Sequence, residues 1–430
     1  MDNNFSSPEL PPPVRAVGQR HVLGLTSDPL PKVRIAIIGL GIRGTRALKR
    51  LPYIDNAYVT AVCDISYDNI KRSVRFLKSQ QLTDTKVLQG ADAWKKTCEL
   101  PDIDLVYICT DWKSHTPIAV YAMQCGKHVC IEVPAASTVD ECWQLVNAAE
   151  CSRRHCMMLE NCCYDVFELA VMNMVRQGLL GEIIHLDGAY IHDLRGRLFG
   201  SQHVDNIHWQ LEYFVEHTGN PYPTHGVGPL CQLLDIHRKD QLSHLVSMSS
   251  SQVGLTGYAM QKYGSNSAEA LKPYLLGDMN TTIIRTQKGK TITLQHDICN
   301  PRPYERTFSI SGTQGFARKY PIPAIAIEPS AHRALTPSKT RKLIENYAHP
   351  YVLQWAEEAH KLCGNRARDY IMDARLIHCL HLGLPLDQDV YDAVEWSCLT
   401  ELTEISVLSG SLPVAIPDFT RGDWNKFHGS

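Results

Sequence analysis

Apolar positions follow two regimes along this chain. Between residues 33 and 160, continuous apolar runs at 33–38, 58–63, 85–90, 102–109, 126–132 and 155–159 alternate with helix-compatible stretches. Runs of that kind fit strands buried on both faces of a parallel sheet. The stretches between them include 45–51, 68–81, 91–99, a helix opened by Pro117, and one capped by Thr138 with Glu141 as its capping-box partner. Strands alternating with helices predict a doubly wound parallel sheet. Beyond residue 180 the pattern changes. Strands are expected at 183–192, 243–252, 279–287, 290–299 and 305–311, with a hairpin turn at Gln287-Lys-Gly-Lys290. Helices follow at 351–363, 366–381 and 388–409, with Asp387 placed to cap the last.

The first strand carries the strongest chemical signal. Val33 to Ile38 leads into Gly39, Gly41 and Gly44, spaced Gly-x-Gly-x-x-Gly, and the strand 58–63 ends in Asp64, twenty residues past the last glycine. Strand, glycine turn, helix, strand and acid stand in the order a dinucleotide site needs. The first glycine allows the turn, the second lets the backbone approach a pyrophosphate, and the third lets helix and strand pack closely. The phosphates then sit at the positive end of the helix. Asp64 would accept hydrogen bonds from ribose hydroxyls and repel a 2′-phosphate, so NAD is favoured over NADP. Arg43, inside the turn, is either a phosphate contact or a solvated surface residue. Residues at the carboxyl ends of the strands line a cofactor site, which adds Thr110, Trp112, His115, Glu132 and Val133. The expected fold class is therefore α/β: an N-terminal doubly wound Rossmann domain followed by a C-terminal α+β domain with a mostly antiparallel open sheet. The expected division is an extended arm at 1–31, the NAD-binding domain at 32–158, the substrate-binding domain at 159–418 and a tail at 419–430.

Composition narrows the picture. The 430 residues are 44% hydrophobic and 20% charged, with a net charge of −2. That is ordinary globular usage, without the basic excess of a nucleic-acid partner. No apolar run is long enough for a membrane span. The first 31 residues are rich in Pro, Ser and Asn and lack the apolar core of a secretion signal, so no leader is expected in the chain as it stands. Fifteen cysteines form no spacing that suggests a disulfide framework. Cys156, Cys162, Cys163 and His155 come nearest to a zinc set, but free thiols are the simpler reading and no metal is expected.

Rings and polar groups concentrate at Tyr190-Ile-His192, Tyr222-Pro-Thr-His-Gly226 and Asn300-Pro-Arg-Pro-Tyr304. Three Tyr- or His-bearing turns in one domain, after a nucleotide domain, point to an active site. The layout resembles the Gfo/Idh/MocA oxidoreductases. Their signature after the fifth strand is Glu-Lys-Pro, with a lysine that assists hydride transfer. Here it reads Glu132-Val133-Pro134, which argues against an ordinary sugar dehydrogenase. More specifically, the chain is similar to glycoside hydrolase family 109, the NAD-dependent α-N-acetylgalactosaminidases. Ile38-Gly-Leu-Gly-Ile-Arg-Gly44, Trp112-Lys-Ser-His115, Glu132-Val-Pro-Ala-Ala136, Met158-Leu-Glu-Asn161, Tyr190-Ile-His-Asp-Leu194, Tyr222-Pro-Thr-His-Gly-Val-Gly-Pro229, Pro301-Arg-Pro-Tyr304 and Ser311-Gly-Thr-Gln-Gly315 carry the similarity. It implies NAD contacts from Ile42, Arg43, Asp64, Trp112 to His115, Glu132, Val133 and Asn161. It implies sugar contacts from Tyr190, Tyr222, Pro223, Thr224, His225 and Tyr304. The family's Trp-Arg-Leu segment is Trp209-Gln-Leu211 here, so Gln210 stands where a charge is expected.

The resemblance implies oxidation and elimination rather than acid hydrolysis. Hydride passes from sugar carbon three to NAD, and the resulting ketone acidifies the proton on carbon two. Loss of that proton expels the aglycone, water adds to the enone, and the hydride returns, so NAD is recycled. Such a route needs groups that move protons near neutral pH. His225 and Tyr190 are the expected acid/base pair. Tyr222, His192 and Glu160 are candidates for orientation or a second proton path, and Glu160 has an equal claim to be structural. The expected substrate is a glycan or glycoside bearing N-acetylgalactosamine. Self-association through the open sheet, and export in place of a cytoplasmic location, are expectations by family analogy. The alternatives are a net sugar oxidoreductase that tolerates Val133, and a non-catalytic NAD-binding sensor.

Overall fold

A computed structural model describes residues 11–200 and 208–426. The first ten residues of the expected arm, residues 201–207 and the last four of the expected tail lie outside the described residues. The chain divides into two compact units. One comprises Pro13–Val166 with His349–Ser397, and the other Phe167–Ala348 with Cys398–Lys426.

Six parallel strands organise the first unit: β1 (Val33–Ile38), β2 (Ala57–Asp64), β3 (Lys86–Gln89), β4 (Leu105–Ile108), β5 (His128–Ile131) and β6 (Cys156–Met158). Their order across the sheet is β3-β2-β1-β4-β5-β6, the doubly wound order of a dinucleotide-binding fold. β4 and β5 are buried along their whole length, as continuous apolar runs require when helices cover both faces. Thr138 caps the Val139–Ser152 helix with Glu141 in a reciprocal capping box. Pro117 does not open its helix. Asp111 accepts the Ser114 amide and starts the helix at Trp112, which leaves Pro117 inside Trp112–Gln124. Only the carbonyl of Lys113 loses its helical partner there, close to the helix start, so the ring is tolerated.

Residues 13–31 contain no helix or strand but are not loose. Arg15 and Gln19 bond the buried carboxylate of Glu150, and Val22 donates its amide to the Tyr391 hydroxyl. The helices Pro350–Cys363 and Ala367–Leu382 also belong to this unit. The last long helix, Val390–Leu408, is capped by Asp389 rather than Asp387, because Asp389 accepts the amides of Tyr391 and Asp392. Asp387 is taken up by Arg375 and the Tyr351 hydroxyl.

The second unit is built on β7 (Ile183–Ile191), β8 (Leu242–Ser249), β9 (Asn280–Thr286), β10 (Thr291–Asp297), β11 (Ser309–Gly312), β12 (Gly315–Arg318), β13 (Ala324–Ile327) and β14 (Val414–Ala415). The sheet order is β13-β12-β11-β7-β10-β9-β8-β14, antiparallel throughout except where β10 runs parallel to β7. Burial alternates along β9. Ile284 and its neighbours Ile292 and Leu294 are buried, while Met248 and Ile283 on the other face are exposed. One packed face and one open face is the usual condition of such a sheet. All fifteen cysteines are free thiols.

Candidate active site

The glycine turn in the first unit meets the geometric demands of a nucleotide site. Gly39 has φ of 91°, and a Cβ there would lie 2.5 Å from the Cys109 carbonyl oxygen. A Cβ on Gly44 would fall 1.8 Å from the Gly39 oxygen, whereas one on Gly41 would meet nothing within 4 Å. Two glycines are therefore forced by packing, and the third opens space beside the backbone where a pyrophosphate can approach. The helix that follows, Ile42–Arg50, has no side chain capping its start, so its first amides are available to an anion. Asp64 ends β2 beside this turn and accepts the amides of Leu40 (2.5 Å) and Ser66 (2.6 Å). These features fit NAD.

Arg43 is partly exposed but not a lone surface residue. Its Nε donates to Glu132 at 2.7 Å, and its Nη1 lies 3.8 Å from Asp369. Asp369 also accepts the side-chain amide of Asn161. Burial alone would raise Asp369, but Arg43, Arg50 and Asn161 outweigh it and hold its carboxyl below the usual range. Arg50 bonds Asp373, which also receives the Tyr107 hydroxyl at 3.2 Å. Arg43, Glu132 and Asn161 are thus gathered as expected, but around an acid that sequence reasoning missed. The available signal was Asp369 and Asp373, one turn apart on a helix face otherwise filled by apolar residues. His115 is buried between two carbonyls, 2.7 Å from Pro134 and 3.1 Å from Thr110. Burial lowers its pKa, so it is neutral, and the shorter contact assigns the ring hydrogen to Nδ1. In that form its hydrogen bond ties the ring to the segment after Val133. Glu160 is fully buried and caps the turn at Asn161–Tyr164 through the Cys162 amide.

In the second unit the three ring-bearing stretches come together, although only one of them is a plain turn. Tyr190 and Ile191 end β7, and Tyr222-Pro223 runs into the helix Thr224–Leu233. That helix is pressed onto β7 through paired glycines. A Cβ on Gly188 would lie 2.4 Å from the Gly226 oxygen, and one on Gly226 would lie 2.9 Å from the Ala189 amide nitrogen. This approach sets the His225 ring 5.4 Å from the Tyr190 ring, with Tyr222 4.9 Å from Tyr190 and 5.0 Å from His225. The Tyr190 hydroxyl is 2.9 Å from His192 Nδ1. Burial lowers the pKa of His192, helped by Arg197 and His225, so a neutral ring can accept that hydroxyl proton. Tyr304 lies edge-on to His192 at 5.1 Å. Its loop is anchored by Asp297, which accepts the amides of Cys299 and Asn300, and by the buried pair of Arg306 and Glu168 at 2.9 Å. Behind Tyr190, His296 pairs across the sheet and is pushed down to about 3 by burial. Thr224 is fully buried, and its hydroxyl has no partner among the described residues. Gln210 is half-buried on the helix His208–Glu216, whose Leu211 and Phe214 enter an apolar cluster that packs against Tyr190.

Comparison with known proteins gives both units a family. Residues 33–160 match the model of the oxidoreductase family with an NAD-binding Rossmann fold. Residues 164–426 match the C-terminal domain of glycosyl hydrolase 109. The chain belongs to glycosyl hydrolase family 109. It is 53% identical over 417 residues to the alpha-N-acetylgalactosaminidase of Bacteroides fragilis, covering 96% of this chain and 98% of that protein. A glycosyl hydrolase family 109 protein of Porphyromonas gingivalis is 46% identical, over 97% of this chain and 91% of its own length. Among solved structures, levoglucosan dehydrogenase in complex with NADH and levoglucosan aligns with a TM-score of 0.67 at 16% identity, over 90% of this chain and all of that one. Scyllo-inositol dehydrogenase from Lactobacillus casei aligns at 0.62 and 11% identity, over 90% of this chain and 99% of that one. These two share the fold, an NAD-binding Rossmann domain with a mostly antiparallel sheet domain. Among the described residues no helix is long and apolar enough to cross a membrane.

Proposed function

We propose that this family 109 member is an NAD-dependent glycosidase acting on N-acetylgalactosaminides, with α-linked substrates favoured. The observation that carries the chemistry is the cluster centred on Tyr190, whose hydroxyl is 2.9 Å from a neutral His192 and whose ring lies beside Tyr222 and His225. Chain-long identity to an enzyme named for this substrate supports the sugar assignment.

Arg43, Asp64, Glu132 and Asn161 would hold NAD at the glycine turn, which supplies reversible hydride transfer at a sugar hydroxyl-bearing carbon when bound. This chain's residues then have the proton work. The Tyr190 hydroxyl, hydrogen-bonded to His192 Nδ1, can lose its proton to that ring and take one from substrate. His225 is a second proton-transfer group, and its unperturbed range is near neutrality. The two together can remove the proton from sugar carbon two and manage the one on the oxygen at carbon three. Tyr222 and Tyr304 offer ring faces and hydroxyls to the sugar. Val133 occupies the place of a proton-transferring lysine, so these functions rest on Tyr and His. Gln210 offers a neutral amide to the acetamido or hydroxyl groups. Self-association through the open sheet face that carries Met248 and Ile283 belongs to the same proposal.

The test uses an aryl α-N-acetylgalactosaminide and the purified protein. Aryl release with no accumulation of NADH absorbance is the expected result. Stoichiometric NADH without aryl release would identify a net oxidoreductase and reject the proposal.

A further inference from the structure

Arg43, Glu132 and Asn161 come from three separate segments: the glycine turn, the end of β5 and the turn after β6. One carboxylate ties them together. Asp369 Oδ1 accepts the Asn161 side-chain amide, while Oδ2 faces Arg43 Nη1 at 3.8 Å and Arg50 Nη1 at 3.9 Å. Asp369 is the third residue of the Ala367–Leu382 helix, and its side chain is 2% exposed. Burial would raise its pKa, but Arg43, Arg50 and the Asn161 hydrogen bond outweigh it and hold the carboxyl below the ordinary range. Its charge is maintained by its surroundings, so it can act as a fixed acceptor.

The consequence for each partner is specific. With one N–H given to Asp369 and its oxygen accepting the Cys162 thiol at 3.4 Å, the Asn161 amide is fixed in orientation, leaving its second N–H and the oxygen's other lone pair for a ligand. Arg43 is held at Nε by Glu132 and on one side by Asp369, yet its side chain remains 33% exposed. A guanidinium pinned on two sides and open on the rest reaches a phosphate without first losing rotamer freedom.

We propose that Asp369 is a positioning residue for NAD: from the Ala367–Leu382 helix it fixes the Asn161 amide orientation and braces Arg43, and so slows loss of the cofactor. This rests on the assignment of Arg43, Glu132 and Asn161 to NAD. It does not depend on which glycoside is cleaved.

The experiment measures NAD itself, without glycoside. Purified parent and Asp369→Asn proteins are dialysed at length. NAD retained per chain is then quantified after acid release, and the dissociation rate is followed by exchange against labelled NAD. Charge-assisted contacts of this kind predict release about tenfold faster or more in the variant. With glycoside present, the apparent KM for NAD should rise while kcat at saturating NAD stays within about twofold of the parent, since tenfold in binding needs no change in chemistry. Simple structural damage would instead lower kcat at saturation. Asp369→Glu keeps the charge but displaces it by one methylene, and covers the case in which the Asn variant does not fold. It should release NAD faster by a smaller factor, about threefold. A folded Asp369→Asn or Asp369→Glu protein with parental NAD content and dissociation rate overturns the proposal. Failure of the glycosidase reading would leave these NAD measurements unchanged, so the two failures are distinguishable.

Discussion

The two units position their chemistry by opposite means. At the glycine turn the work is done by buried charge, with Arg43 and Arg50 set among Glu132, Asp369 and Asp373. Around Tyr190 it is done by neutral rings, with His192 and His296 shifted toward the uncharged form. The difference follows from what each must handle. A pyrophosphate keeps its charge, so fixed charges in a rigid frame suit its retention. Proton transfer is served by uncharged groups that can present a hydroxyl or a ring lone pair to a substrate, which Tyr and neutral His supply. On the proposed function, the charged unit would hold NAD and the ring-lined unit would carry the proton transfers.

The largest separation should come from the rings. His225→Ala and Tyr190→Phe are expected to lower kcat about 10²–10⁴-fold, the range for lost acid/base groups, with NAD content unchanged. Assays of aryl release beside NAD quantification check this, and a fully active pair would remove the ring cluster from the mechanism. Next come the buried ion pairs. Asp373→Ala removes the nearest carboxylate of Arg50, whose side chain is 7% exposed and is left with Asp369 at 3.9 Å, and Glu168→Ala removes the carboxylate paired with Arg306, whose side chain is 2% exposed. Each should cost about 3–5 kcal/mol in denaturant unfolding. Only the Asp373 variant should also lose NAD. Equal NAD loss from both would erase the contrast between the units.

Acid should weaken both units to a smaller degree per pH unit. Burial lowers His128 to about 3 and His155 to about 4 in the first unit, and His296 to about 3 in the second. The folded values lie below the unfolded one, near 6.5. Between that pH and each folded pKa, the unfolded chain binds a proton that the folded chain refuses. Stability is therefore undiminished by these groups above about 6.5, and falls as pH drops toward 4, by up to about 1.4 kcal/mol per pH unit for each. Unfolding measured from pH 7 to 5 should show a shallower slope in His296→Phe. An unchanged slope would mean that His296 is protonated in the folded protein.

Much of the first unit was legible because its signals are local. The glycine spacing, the acid at Asp64 and the Thr138–Glu141 box each act within a few residues of backbone or along one strand. In the second unit Tyr190, Tyr222, His225 and Tyr304 were legible as ring-bearing residues that the structure brings together, but their scaffold was not. Tyr222 to Gly226 read as a turn, yet residues 224–233 form a helix. Pro229 has no N–H for the His225 carbonyl, and the helix is stabilised by packing of Gly226 on Gly188 that no local pattern encodes. The short strands β12, β13 and β14 escaped for a related reason, since four residues or fewer give too little alternation. The return of residues 349–397 to the first unit is a long-range contact, and it brings Asp369, the residue on which Arg43 and Asn161 converge.

Removal of a proton from sugar carbon two, in place of direct displacement at carbon one, is the central step of the proposed mechanism. Hydrolysis of an aryl α-N-acetylgalactosaminide in heavy water, followed by mass and NMR analysis of the released sugar, tests this most directly. Deuterium at carbon two, with NAD undiminished at the end of the reaction, is the predicted result. Aryl release at full rate with hydrogen retained at carbon two would contradict it.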